Sequence, residues 1–158
     1  MKRTITGFYR DQHADWAARL DCGHAQHVRH RPPFQNRPWV VEEAGRTRML
    51  GAELDCVRCD RMEPPADAVA YRRTPEFDAN SVPSGLRSDH STRQGIWGRI
   101  IVLEGRLEYH VGAPVDTSFA VEGGSSAVVV PGVRHRVEPM ESVRFLVEFS
   151  RVTDSTGD

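Results

Sequence analysis

The sequence predicts a mainly β protein built from two small modules, and three observations predict it. All three cysteines lie before Asp60, a Pro64-Pro65 pair interrupts the chain, and the remainder reads as short strands separated by turn residues. A double proline has no backbone donors and resists helix, so it acts as a stiff connector. The expected layout is a first α+β module over residues 1–62, a linker over 63–68 and an all-β module over 69–158.

Bulk composition fits folded domains of modest core. Hydrophobic residues make up 39% of the 158 residues and charged residues 27%. The formal net charge is −1, which argues against a field that recruits nucleic acid or a membrane surface. Residues 1–62 carry 11 Lys/Arg against 8 Asp/Glu, and residues 63–158 carry 10 against 14, so the front is mildly basic. The opening Met1-Lys2-Arg3-Thr4-Ile5-Thr6-Gly7 lacks the apolar segment of a secretory leader. No apolar run approaches the ~20 residues of a membrane helix. An odd number of cysteines does not suit a disulfide framework and points to thiolates kept reduced in the cytoplasm.

In the first module, residues 4–9 and 16–20 read as strands around the polar turn Asp11-Gln12-His13, and residues 42–50 as a helix ended by Gly51. So short a domain, with few large apolar groups, needs a staple. Cys56-Val57-Arg58-Cys59 offers two thiolates from one tight turn. Cys22-Gly23-His24 offers a second pair, with a glycine that lets the backbone curl around an ion. Together Cys22, His24, Cys56 and Cys59 form the expected tetrahedral zinc set, with His27 the alternative to His24. Four protein ligands close the coordination sphere, so this zinc is structural. The competing readings are a redox dithiol, which lacks its usual Trp-Cys-Gly-Pro-Cys surroundings, and inert core thiols. The stretch from Leu20 to Trp39, with Gly45-Arg46 and Cys56-Val57-Arg58-Cys59-Asp60, resembles a bacterial domain family of unknown function, a zinc knuckle by its ligands. The basic residues His27, Arg29, Arg31 and Arg37 lie near Phe34 and Trp39. They are read as ion pairs and a mini-core rather than as a nucleic-acid surface.

Beyond the prolines the pattern is β. Residues 97–103 and 127–130 are apolar runs, whereas 106–111 and 143–149 alternate, with turns at Gly105, Gly112, Gly123-Gly124 and Pro131-Gly132. Such spacing predicts a sandwich or barrel. A polar tail over residues 153–158 is expected to fray.

The blocks Asp89-His90-Ser91-Thr92, Gly95-Ile96-Trp97-Gly98-Arg99, Val102-Leu103-Glu104-Gly105 and Pro131-Gly132-Val133-Arg134-His135 resemble the TehB/YeaR-like cupin-like domain. That domain also stands at the front of tellurite-resistance methyltransferases. The resemblance implies a double-stranded β-helix, or jelly roll, with a ligand or a second divalent metal in its mouth. His135 matches the second cupin motif. The first motif is incomplete, with only His90 near the usual positions, so the expected set is His90, His135 and one carboxylate, Glu148 or Glu138. Arg99, Arg134 and Arg136 are expected to line a pocket for an oxyanion. No chain is left for a methyltransferase domain. The function expected is a metal-binding stress protein that senses or sequesters a small molecule or an oxyanion such as tellurite. Alternatives are a cupin metalloenzyme of dioxygenase or isomerase type, or a zinc-knuckle adaptor for nucleic acid or protein. Whether any catalysis occurs stays open. Barrels of this type pair, so the resemblance also implies a homodimer.

Overall fold

The computed structural model describes residues 1–140 and 142–153, and the end of the expected polar tail lies outside them. The chain divides into two compact units, Met1–Arg58 and Cys59–Asp158. No helix among the described residues is long and apolar enough to cross a membrane.

The first unit is an antiparallel sheet. Its strands are β1 (Lys2–Arg10), β2 (Trp16–Leu20), β3 (Ala25–His27) and β4 (Glu53–Asp55), in the order β3-β2-β1-β4. The predicted helix is α1 (Glu43–Met49), which ends before Gly51 at φ +85, a conformation that favours glycine. Its core is small: Ile5, Ala17, Ala18, Leu20, Val28 and Val40 are buried. Gly45 faces the Trp39 carbonyl so closely that a Cβ would overlap it, which lets α1 pack on the turn containing Trp39. Arg46 stacks 3.8 Å over the Trp16 ring and donates to the Val40 carbonyl at 2.8 Å. Polar side chains thereby hold what the thin core does not. Cys59 lies in a one-turn helix, α2 (Val57–Asp60), that crosses the division between the units.

The second unit holds eight strands among the described residues. They are β5 (Ala68–Arg73), β6 (Phe77–Asp78), β7 (Trp97–Glu104), β8 (Arg106–Val111), β9 (Thr117–Glu122), β10 (Ser126–Val129), β11 (His135–Pro139) and β12 (Arg144–Val152). A short helix, α3 (Ser84–Arg87), follows β6. One antiparallel sheet runs β10-β7-β12-β5, with β6 also pairing β12; the other runs β11-β8-β9. Together they make an antiparallel half-barrel. Alternation sets the faces: Leu107, Tyr109 and Val111 of β8 are buried, as are His135 and Val137 of β11. The Tyr109 hydroxyl donates to the Val128 carbonyl at 3.1 Å and ties the two sheets together.

Candidate functional site

Two places concentrate chemistry. The first is built by two turns. Between β2 and β3 the chain reverses over Asp21-Cys22-Gly23-His24, closed by Leu20 N–H to the His24 carbonyl at 2.9 Å. Gly23 N–H bonds the Leu20 carbonyl at 2.8 Å, and Gly23 sits at φ +87, where a side chain would strain the turn. The second turn follows β4, where the Cys56 N–H bonds the Met1 carbonyl at 2.8 Å and α2 begins. These turns bring Cys22, His24, Cys56 and Cys59 together with their ligand atoms all within 4.8 Å of one another, and all four residues are buried. His24 presents Nδ1, 3.4 Å from Sγ of both Cys22 and Cys56. The cysteines are free of disulfides. A buried quartet of soft and borderline donors can hold a metal ion.

The structure does not place His27 in this cluster. Its Nε2 lies 2.7 Å from Asp11, half exposed, and holds the Asp11 carboxyl down at about 2 through that hydrogen bond. Arg29 and Arg31 both pair with Asp15, at 2.8 and 3.2 Å. Trp39 packs edge-on against Phe8. Phe34 stands 95% exposed and is not part of a core.

The second place is a cavity of about 510 Å³ in the second unit. Its walls are apolar, from Ile100 of β7, Val129 of β10, Val137 of β11 and Phe145 and Val147 of β12. At its polar end His90 and His135 sit with ring centroids 4.2 Å apart. Their backbones exchange both hydrogen bonds, at 3.0 and 2.8 Å, in an isolated bridge that fixes the pair. Each ring is also tethered: Nδ1 of His90 lies 2.9 Å from the Ser88 carbonyl, and Nδ1 of His135 lies 2.9 Å from the Val133 carbonyl. A carbonyl oxygen only accepts, so each Nδ1 carries a proton. Burial pushes the His135 pKa down to about 4, which keeps that ring neutral.

Several expected partners of these histidines are elsewhere. Glu148 lies on the opposite face of β12 from Val147, bonded to Arg73, and does not line the cavity. Glu138 alternates with Val137 on β11 and faces outward toward Arg136, at 3.8 Å. Neither carboxylate completes a three-ligand site. Among the described residues, the one group of three or more metal-ligating side chains is the cysteine cluster. The basic pocket needs the same correction. Arg99 sits on the far face of β7, near Glu148, and Arg134 and Arg136 line an outer cleft with Asp89 and His110. The cations that do line the cavity are Arg72 and Arg93, both exposed. Strand parity could have found part of this: on β11, Arg136 points away from His135.

Comparison with known proteins assigns both halves. Residues 6–63 match DUF3565, a family described as protein of unknown function, and residues 72–147 match the TehB-like domain. The chain is a DUF3565 domain followed by a TehB-like domain. It is similar to the uncharacterized protein YeaR of Escherichia coli strain K12, at 28% identity over 95 residues, covering 54% of this chain and 79% of that protein. A crystal structure of a protein from the same strain superposes with a TM-score of 0.57 at 25% identity, covering 61% of this chain and 93% of that one. TehB from Haemophilus influenzae shares the fold, with a TM-score of 0.51 at 22% identity over 55% of this chain and 32% of its own length.

Proposed function

We propose that the protein is a small-ligand receptor of a tellurite-resistance-related kind. A structural zinc holds its DUF3565 domain, and the cavity of its TehB-like domain receives the ligand. The observation that carries the reading is the cavity itself: an apolar chamber with two backbone-tethered imidazoles at one end. Ligand sites combine such apolar walls with a few fixed polar groups.

Zinc fits the quartet on geometry. Bonds of ~2.3 Å to sulfur and ~2.0 Å to nitrogen in a tetrahedron put those donors ~3.5 Å apart. The Sγ to Nδ1 distances here are 3.4 Å. Three thiolates and one neutral imidazole leave no open position, so this ion serves the fold and not a reaction. Thiolate ligands fit a reducing cytoplasm. The cavity offers two imidazoles and no carboxylate among its lining residues. A metalloenzyme of the cupin type needs a third protein ligand, so the cavity is read as a receptor without a resident metal.

The test is a titration of the ¹⁵N-labelled protein with sodium tellurite and, separately, with short-chain carboxylates, read by NMR. The expected result is that at least one of the two additions gives shifts confined to cavity residues such as Ile100, Val137 and Phe145. If neither addition moves those resonances, the receptor reading is wrong.

A further inference from the structure

The lining of the cavity narrows the chemistry of what it takes, and the argument rests on the receptor reading above. The walls are mostly aliphatic and aromatic, with Ser91 and Thr92 also on the lining. An inorganic oxyanion would strip its hydration shell against these walls without burying any apolar surface, and its charged partners lie only on the exposed part of the lining. Buried His135 does not hold an anion either, because its Nδ1 proton is committed to the Val133 carbonyl and burial keeps its ring neutral, with Nε2 an acceptor. The positive charge belongs to Arg72 and Arg93, on the exposed part of the lining, and no Asp or Glu lines the cavity to neutralise them. Arg73, next to Arg72 on β5, is paired with Glu148 on the other face, which leaves Arg72 as the cavity-side cation of that strand.

We propose that the cavity ligand is an amphiphilic organic anion. Its apolar body lies against Ile100, Val137, Phe145 and Val147, and its carboxylate is held at the mouth by Arg72 and Arg93. A guanidinium recognises a carboxylate through paired charge-assisted hydrogen bonds. The volume of about 510 Å³ accommodates a chain of several carbons.

The experiment is calorimetry on the full chain with butanoate, hexanoate, octanoate, 1-hexanol and sodium tellurite. Burial of methylenes predicts an affinity gain of about fourfold per carbon along the carboxylate series. Hexanoate should bind at least roughly tenfold more tightly than 1-hexanol, and an Arg72→Gln/Arg93→Gln variant should erase that preference while leaving 1-hexanol binding unchanged. Both arginines are exposed, so the variant should keep the wild-type circular dichroism spectrum. Carboxylate binding that does not strengthen with chain length overturns the inference. So does tellurite binding at the cavity with no carboxylate binding, although the receptor reading then stands. Failure of all five probes overturns the receptor reading as well.

Discussion

Stripping the metal from the DUF3565 domain should unfold residues 1–58 and leave the TehB-like domain folded. The magnitude follows from the architecture. At roughly 0.05–0.15 kcal/mol per residue, a unit of this length has a stability of about 3–9 kcal/mol. An ion held by the quartet would join the turn at Cys22 to the turn at Cys59, closing a loop of roughly 38 residues. Cross-link entropy alone is then worth about 4 kcal/mol. The full binding free energy of a structural zinc, about 10–16 kcal/mol, exceeds the whole stability of the unit. The buried core, whose largest members are Ile5, Leu20, Val28 and Val40, is too small to compensate. Hydrogen exchange read by mass spectrometry, before and after a strong chelator, separates the halves. Peptides from residues 1–58 should lose protection, and peptides from β7, β8 and β12 should keep theirs. A Cys56→Ser/Cys59→Ser variant should behave like the chelated protein. If the metal-free first domain stays protected, the staple argument is wrong.

Three further outcomes are expected. The native His135 pKa of about 4 lies below its ordinary 6.5 because the ring is buried. Between those values the unfolded chain binds a proton that the native chain does not. Stability of the TehB-like domain is therefore full above pH 6.5 and falls by roughly 3 kcal/mol as pH drops to 4; denaturant midpoints at pH 7 and pH 4.5 should show this, and His135→Gln should flatten it. Gly45→Ala should destabilise the first domain by about 2 kcal/mol or more, read as a lower Tm, because the new Cβ meets the Trp39 carbonyl, which is backbone and cannot rotate away. Tyr109→Phe should cost about 1–2 kcal/mol in chemical denaturation, since it leaves the Val128 carbonyl without that donor.

What the sequence revealed depended on whether a residue's role was local. Gly23 between Cys22 and His24, and the two-residue spacing from Cys56 to Cys59, specify tight turns, so the metal cluster is readable without knowing how the turns meet. The choice of His24 over His27 is a matter of sheet geometry. β3 carries His27 past the turn to Asp11, and only the pairing of β2 with β3 shows this. In the half-barrel the alternation of β8 was legible because one face is polar. β12 was harder: it runs between β7 and β5, and Phe145, Leu146 and Val147 are all buried, so hydropathy alone does not say which face Glu148 shares. The arginines were misplaced for a different reason. Pleating turns Arg136 of β11 away from His135, Arg99 lies on the far face of β7, Arg134 precedes β11 in the outer cleft, and the cavity instead takes Arg72 from β5 and Arg93 from a loop.

Metal stoichiometry tests the central claim most directly. Elemental analysis should find one zinc per chain in the wild-type protein, none in Cys56→Ser/Cys59→Ser, and one in His90→Ala/His135→Ala. Two metals per wild-type chain, with one lost on the histidine change, would contradict the account and make the cavity a metal centre.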